Sequence, residues 1–163
     1  MQWLLRGSLG VAIPIQRSAL IADDDPVYRE TEAHALREAG FTVEEADGGR
    51  AAAKALAGRP FDLALLDLGM PDIGGFDVLR EQRRAGANMH TPTIVITGHD
   101  DSASVSDAYE AGATSFLTKP LNWVLFIPHV EFVLRSARLE RELREAVGAT
   151  EFLGDLKTSL MND

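Results

Sequence analysis

Five short apolar segments alternate with longer segments of helical periodicity, and this alternation limits the possible folds more than any other feature of the sequence. The apolar segments are Ser18–Ala22, Phe41–Ala46, Leu63–Leu66, Thr93–Thr97 and Thr114–Thr118. Leu63–Leu66 is continuously apolar, as expected of a strand buried on both faces, and Thr93–Thr97 is rich in the β-branched residues that favour strands. Strands separated by helices predict an α/β fold, in which a parallel sheet is covered by helices on both faces.

Residues that start and stop helices lie between these segments. Asp25 and Pro26 match an N-cap followed by a first helical residue, and Gly40 matches the stop of a helix that ends at Ala39. Similar signals predict helices over residues 49–57, 74–85 and 102–111. These helices supply the crossover connections that parallel strands require.

The C-terminal third has a different pattern. Residues 121–147 predict one long helix or two joined helices, and Pro128 either kinks this helix or marks its start. Gly148 is predicted to end it, before a short amphipathic helix over residues 150–161. Opposite charges at i,i+4 predict surface ion pairs, namely Glu131/Arg135, Arg138/Glu142, Glu140/Arg144 and Arg141/Glu145.

The same region carries two apolar stripes. The first contains Val130, Val133 and Ala137, and the second, rotated from it, contains Leu139, Leu143 and Ala146. A stripe beyond the core needs a partner surface. We therefore expect a homodimer through the C-terminal helix.

Composition limits the classes of function. With 16 basic and 25 acidic residues the net charge is −9, which argues against binding to the phosphate backbone of nucleic acids. The absence of cysteine excludes disulfides and thiolate metal sites.

Arg6 and Pro14 interrupt the apolar start, so residues 1–17 predict a flexible extension rather than a signal peptide. With no membrane segment expected, we predict a cytoplasmic protein.

Polar residues follow four of the predicted strands. Asp23 and Asp24 follow the first, Asp67 the third, Thr97 ends the fourth and Lys119 follows the fifth. Each residue alone is typical of a turn or a helix cap, but the ordered set is not. Ligands of open parallel sheets bind at the carboxyl ends of the strands. If the first and third strands are neighbours, three carboxylates converge there.

Three converging carboxylates repel one another, and a hard cation such as Mg²⁺ relieves that repulsion. An ionised Asp67 beside Mg²⁺ is a suitable nucleophile toward a phosphoryl group. The Thr97 hydroxyl and the Lys119 ammonium offer charge stabilisation to the phosphoryl oxygens. The residues therefore predict magnesium-dependent phosphoryl transfer to an aspartate.

The segments LIADDDP, LALLDLGMPDIGGFDVL, TIVITG and SFLTKP resemble the receiver domain of bacterial two-component response regulators. The resemblance covers residues 18–137. It implies a CheY-like, flavodoxin-like fold, a doubly wound five-stranded parallel sheet of order 2-1-3-4-5. Residues 138–163 then form a helical C-terminal extension that serves as a dimerisation or linker helix.

The resemblance also implies roles at the acidic site. Asp67 is the phosphorylation site, and the phosphodonor is a histidine kinase or a phosphotransfer protein. Asp24 resembles a direct Mg²⁺ ligand, Asp23 a ligand that acts largely through water, and the Gly69 carbonyl the third protein ligand.

Further implied roles lie on the neighbouring strands. Thr97 and Lys119 match the pair that contacts the phosphoryl group, and Phe116 matches an aromatic switch that turns inward when Thr97 moves. Phe116 is alternatively a plain core aromatic.

His99 either faces the site and tunes loss of the phosphoryl group or is a solvated loop residue. Pro71, Gly74 and Gly75 match the loop after the phosphorylation site, where glycine permits the backbone to approach a bound phosphate and to take a positive φ.

Two functions remain open at this point. In the first, the chain is a signalling domain that catalyses only its own phosphorylation and dephosphorylation and switches a surface for an unknown downstream protein. In the second, it is a magnesium-dependent phosphatase or phosphotransferase with an aspartyl nucleophile. The haloacid-dehalogenase type of such enzymes needs an aspartate two residues after the nucleophile, and Gly69 occupies that position.

Overall fold

The computed structural model describes residues 3–5, 12–14, 16–98 and 102–161. Strands and helices alternate through most of this part of the chain. The strands are β1 Trp3–Leu5, β2 Ala12–Pro14, β3 Arg17–Ala22, β4 Phe41–Ala46, β5 Leu63–Asp67, β6 Thr93–Thr97 and β7 Ser115–Thr118. The helices are α1 Pro26–Glu38, α2 Gly49–Gly58, α3 Gly75–Arg84, α4 Ser102–Glu110 and α5 Trp123–Met161.

Strands β3 to β7 form one parallel sheet in the order β4-β3-β5-β6-β7. Counted along the chain, these five strands have the order 2-1-3-4-5, so the predicted fold class is confirmed. In the register, Ala22 lies beside Leu66 and Asp67 lies beside Ile96. The carboxyl ends of β3, β5 and β6 therefore lie at one edge of the sheet, with β3 and β5 as direct neighbours.

The core consists of two apolar layers, one on each face of the sheet. Along β3, Leu20 and Ala22 face a layer that includes residues of α2, α3 and α4, whereas Ala19 and Ile21 face a layer that includes residues of α1 and α5. All four side chains are buried. Burial on both faces explains why the central strands are continuously apolar.

The start and stop signals of α1 act as predicted. The Asp25 side chain accepts a hydrogen bond of 2.9 Å from the Val27 amide and caps the helix, and Pro26 is its first residue. Gly40 follows the helix with a φ of +96°, in the left-handed region that costs other residues energy. The capped start of α1 places Asp23 and Asp24 in the short connection between β3 and α1, at the carboxyl edge of the sheet.

The loop that follows β5 is tied to a neighbouring helix. The Asp72 carboxylate accepts hydrogen bonds from the backbone amides of Gly49 and Arg50, at 2.8 and 3.0 Å, at the start of α2. The amides of Arg50, Ile73 and Gly49, in that order of influence, lower the pKa of Asp72 to about 2. This carboxylate therefore stays ionised and fixes the path of the loop beside Asp67.

Helix α5 is longer than the sequence predicted. It is one helix that contains Pro128, and it continues through Gly148 to Met161. Pro128 therefore does not mark its start, and the predicted end at Gly148 was wrong. Pro128 lies in the second turn between the buried Phe126 and Val130, where the loss of one backbone hydrogen bond is offset by packing. A single interior glycine costs a helix only about 1 kcal/mol.

The surface ion pairs predicted along α5 do not form. Among the residues that the structure describes, Arg135, Arg138, Arg141 and Arg144 take part in none of the ion pairs. Glu131 instead accepts two hydrogen bonds from Arg17, at 2.8 and 2.9 Å. Exposed i,i+4 pairs gain only a few tenths of a kcal/mol (~0.3–0.5), which does not offset the ordering of two long side chains.

The sequence analysis missed a pair of short strands near the N-terminus. Strands β1 and β2 pair antiparallel, with Leu4 opposite Ile13. Residues 1–2, 6–11 and 15 of the predicted flexible extension lie outside the described residues, and its flexibility stays a prediction. None of the helices in the described ranges combines the length and apolar character needed to cross a membrane.

Gly75 is needed because α3 begins directly against the end of β5. A Cβ atom at position 75 would lie 2.5 Å from the Asp67 carbonyl oxygen, so Gly75→Ala forces the backbone apart. We expect this variant to lower the free energy of unfolding by about 1–3 kcal/mol, measured by urea denaturation.

Gly58→Ala is the matched control for this substitution. Nothing lies within 4 Å of a Cβ atom built at Gly58, the last residue of α2. The control is expected to be neutral or to stabilise by up to ~1 kcal/mol. Equal free energies of unfolding for the two variants would contradict the close approach of α3 to Asp67.

Candidate phosphorylation site

The acidic site lies at the carboxyl edge of the parallel sheet. Asp23 and Asp24 follow β3, Asp67 is the last residue of β5, and Lys119 follows β7. One carboxylate oxygen from each aspartate lies within 4.8 Å of the other two. Asp23 and Asp67 are buried, whereas Asp24 is exposed. The structure thus brings together three carboxylates that are up to 44 residues apart in sequence, and leaves them open to solvent on one side.

Lys119 bridges the two buried carboxylates. Its Nζ donates to Asp23 Oδ2 at 2.9 Å and to Asp67 Oδ2 at 3.4 Å. The same Nζ lies 4.2 Å from the centre of the Tyr28 ring, a cation–π contact. The two carboxylates and the Tyr28 ring together fix the position of the Lys119 ammonium group in the site.

Backbone amides hold the other oxygen of each buried carboxylate. The Asp25 amide donates to Asp23 Oδ1 at 2.9 Å, and the Gly69 amide donates to Asp67 Oδ1 at 3.1 Å. Each buried carboxylate is therefore held at two points, which sets its orientation before any ligand arrives. Such preorganisation lowers the cost of binding a charged group.

The site contains more negative than positive charge, and the pKa values reflect this excess. Burial raises the pKa of Asp23, and the neighbouring Asp67 adds to that effect, although the hydrogen bond from Lys119 opposes it. Burial alone lowers the pKa of Lys119, but the hydrogen bond to Asp23 and the charges of Asp67 and Asp23 outweigh it, so the net direction is upward. Lys119 stays protonated, and an added cation is favoured.

A fourth acidic residue lies beneath the site. Glu32 of α1 is 1 % exposed, and its Oε1 has no hydrogen-bond partner. Burial raises the pKa of Glu32 to about 8, and the charge of Asp23 contributes to the increase. Glu32 is therefore largely protonated at neutral pH, and it is buried on the helix face that also carries the core residues Ala33 and Leu36.

Thr97 and Phe116 lie on the two strands beyond Asp67. Thr97 ends β6 and is buried, and its carbonyl accepts a 2.7 Å hydrogen bond from the Lys119 amide. Phe116 lies beside Val95 in the register, is half-buried and packs against the layer that includes α2, α3 and α4. Both residues therefore lie on the strands that connect the acidic site to the surface around α4.

The loop after Asp67 brings Gly69 close to the site, where its amide donates a hydrogen bond to the Asp67 carboxylate. Gly74 has a φ of −65°, and within the described ranges only Gly40, Gly86 and Gly112 have positive φ. The positive φ expected at Gly74 and Gly75 was therefore wrong. At Gly75 glycine is required because the backbones of α3 and β5 approach closely.

The Lys119–Pro120 peptide is cis. His99 lies outside the described residues.

Sequence reasoning missed three residues that shape this site. Tyr28 contacts the lysine, Glu32 lies beneath the carboxylates, and Asp72 holds the adjoining loop. A signal for Glu32 was present, because it shares a helix face with Ala33 and Leu36, which are fully buried. No comparable pattern marks Tyr28 or Asp72, whose contacts depend on the folded chain.

Comparison with known proteins agrees with this geometry. Residues 19–130 match the response regulator receiver domain, and the chain belongs to that family. It is 33% identical over 132 residues to the transcriptional regulatory protein KdpE of Mycobacterium tuberculosis, covering 81% of this chain and 57% of KdpE. It is 38% identical over 103 residues to the response regulator protein PmrA of Pseudomonas aeruginosa, covering 63% of this chain and 46% of PmrA.

A solved relative has the same fold. The chemotaxis response regulator CheY4 of Vibrio cholerae matches with a TM-score of 0.68 and 30% identity, covering 73% of this chain and 99% of that chain. The resemblance to CheY-like receiver domains of two-component signalling is thus confirmed. The chain spans roughly half the length of the curated relatives above, 57% of KdpE and 46% of PmrA.

Glu32 gives the stability of the fold a pH dependence. Its folded pKa of about 8 lies above the ordinary value of 4.5, so unfolding releases its proton at intermediate pH. The resulting penalty is absent below pH 4.5, grows as the pH rises and is complete above pH 8. Relative to wild type, Glu32→Gln is expected to gain stability over this range, on the order of 2–4 kcal/mol.

Urea denaturation at several pH values, in EDTA, measures this difference. Glu30→Gln, an exposed position on the same helix, is the control and is expected to show little pH-dependent difference. A free-energy difference between wild type and Glu32→Gln that stays constant with pH would contradict the raised pKa.

Proposed function

We propose that this receiver domain accepts a phosphoryl group on Asp67 from a histidine kinase or a phosphotransfer protein. The observation that carries the proposal is the pair of contacts that Lys119 makes with Asp23 and Asp67 beside the exposed Asp24. A carboxylate oxygen of Asp67 attacks phosphorus, and the donor leaves with the electron pair of its bond to phosphorus. The chain thereby acts as a signalling domain that takes part in its own phosphorylation.

The donor set fits a Mg²⁺ ion. All three converging side chains offer carboxylate oxygens within 4.8 Å of one another, the ligand chemistry that magnesium prefers. We propose Asp23, Asp24 and Asp67 as its side-chain ligands and the Gly69 carbonyl as its backbone ligand. When bound, the ion would neutralise charge on the carboxylates and on the phosphoryl oxygens.

The protein's own groups complete the charge balance. Lys119, already held by two carboxylates and the Tyr28 ring, contributes a fixed positive charge to the phosphoryl oxygens. The Thr97 hydroxyl donates to another of these oxygens at the end of β6. Phosphorylation adds about two negative charges, and we propose that Thr97 and Phe116 transmit this change to the surface around α4, where a downstream protein binds.

The alternative of a small-molecule phosphatase has less support. An enzyme of the haloacid-dehalogenase type needs an acid–base carboxylate two residues after the nucleophile, and Gly69 stands there with no side chain. Turnover of small phosphate esters is therefore not expected. One phosphoaspartate per chain, rather than continuous hydrolysis of a small substrate, is the product that this site favours.

Acetyl phosphate with Mg²⁺ tests the phosphoacceptor role. Intact-protein mass spectrometry is expected to show one added phosphoryl group that acid labilises, because acetate is the leaving group and Asp67 the acceptor. Asp67→Asn removes the nucleophile and should abolish the added mass.

Asp107→Asn is the control, since Asp107 is an exposed aspartate of α4 outside the acidic site. It should be phosphorylated like wild type. Phosphorylation that persists in Asp67→Asn, or many turnovers of a small phosphate ester by wild type, would contradict the proposal.

We further propose a homodimer through α5. The residues Phe132, Leu139, Ala146, Leu153 and Leu160 recur every seven positions. Those with large side chains are exposed, and Leu143 lies on the same stripe. An apolar residue at every seventh position over four heptads supplies one of the two apolar positions of a coiled-coil seam. A second copy of the chain offers the matching stripe, so the pattern favours self-association over a dissimilar partner.

Adjacent residues provide a matched test of the dimer. Leu153 lies on the repeat and Phe152 does not, although their side chains are 64% and 63% exposed. Leu153→Glu is expected to weaken dimerisation at least about tenfold, because it buries a charge in the seam, whereas Phe152→Glu is expected to leave it unchanged. Light scattering after size exclusion measures both.

Removal of residues 138–163 should give a monomer in the same assay. Dimerisation that is equally weakened by Phe152→Glu, or that survives the deletion, would contradict the proposed seam.

A further inference from the structure

A second charged site lies at the opposite end of the domain from the acidic site. A cavity of about 540 Å³ opens between α5 and the amino-terminal edge of the sheet. Arg17 at the start of β3, Asp62 before β5 and Pro92 before β6 mark that edge. Since the strands are parallel, this cavity and the phosphoacceptor lie at opposite ends of the same strands.

Four arginines of one helix line this cavity. They are Arg135, Arg138, Arg141 and Arg144. In the part of the chain that the structure describes, none of their side chains forms an ion pair or a hydrogen bond. Of the two carboxylates in the lining, Glu131 pairs with Arg17 and also interacts with the charge of Arg135, and Asp62 accepts a hydrogen bond from the Ser18 amide. With five arginines, Arg17 included, and two carboxylates in its lining, the cavity carries an excess of positive charge in a chain whose net charge is −9.

The placement of these arginines follows from the face of α5 that packs on the domain. Val130 and Leu134 pack in the core layer, and Ala137, Arg141 and Arg144 continue the same stripe at helical spacing. Along α5, the face that packs on the domain is therefore apolar beside the sheet and basic beyond the edge of the sheet. It is a different face from the seven-residue repeat that contains Leu139, so a coiled-coil seam leaves the cavity open.

The chemistry of the lining selects a phosphate-rich ligand. Guanidinium groups bind phosphate oxygens through paired hydrogen bonds. From Arg135 to Arg144 the helix advances about 13 Å, so the charge is spread along a line rather than gathered at one point. A cavity of about 540 Å³ falls within the usual range of small-molecule sites, ~300–1,000 Å³. The net charge of the chain, −9, disfavours a nucleic acid, because its extended phosphate backbone would reach beyond the cavity.

We propose that this cavity binds a small molecule that carries a chain of two or three phosphates, such as a nucleoside triphosphate. Binding at this end of the domain is independent of the acidic site. It would place a ligand between the receiver core and the free part of α5, where it would influence the orientation of that helix.

Isothermal titration calorimetry of the full chain in EDTA, with tripolyphosphate and ATP as probes, tests the proposal. One tripolyphosphate per chain is expected, and inorganic phosphate should bind at least about tenfold more weakly because it engages fewer guanidinium groups. Comparison of ATP with tripolyphosphate shows whether the nucleoside adds to the affinity. The variant Arg138→Gln/Arg141→Gln is expected to lose at least about tenfold in affinity for tripolyphosphate.

Two controls separate the cavity from general charge effects and from the phosphoacceptor. Arg80→Gln/Arg84→Gln removes the same charge from α3 residues that do not line the cavity, and should bind within about twofold of wild type. Asp67→Asn should also bind like wild type. No binding of tripolyphosphate, an equal loss in the α3 variant, a loss in Asp67→Asn, or binding only of a single-stranded oligonucleotide would overturn the proposal.

Discussion

Lys119 donates to both buried carboxylates of the acidic site, Asp23 and Asp67, and the remainder of the site depends on this contact. Buried carboxylates without a cation are strongly disfavoured. One lysine offsets only part of the charge of three aspartates, so the site retains affinity for further positive charge. In the proposed function, a divalent cation would offset that remaining imbalance, and the incoming phosphoryl group would supply negative charge to the cation.

The fold creates this contact from distant parts of the chain. Strands β3 and β5 are neighbours, so the residues that follow them meet, while β7 brings Lys119 across from the far edge of the sheet. Asp25 and Asp72 hold the flanking loops through backbone amides. Glu32 lies in the same environment: burial first, and then the negative charge of Asp23, raise its pKa to about 8 and keep it protonated.

Much of the fold was predictable because its strands are short, apolar and followed by polar residues. Phe41–Ala46 and Thr93–Thr97 were predicted with the observed bounds. Periodicity says nothing about which strands are neighbours, and the strand order came from the resemblance to receiver domains. Gly148 and Pro128 misled the prediction for α5, because local helix breakers were overcome by a long run of good helix formers. The contacts of Tyr28 and the unpaired arginines depend on the folded chain and have no local signature.

Calorimetric titration with Mg²⁺ is the most direct test of the central claim that these carboxylates form one cation site. The account predicts one bound ion per chain for wild type, and a severe loss of affinity in Asp24→Asn, whose exposed carboxylate completes the cluster. Magnesium binding that is unchanged by Asp24→Asn, or absent from wild type, would contradict it.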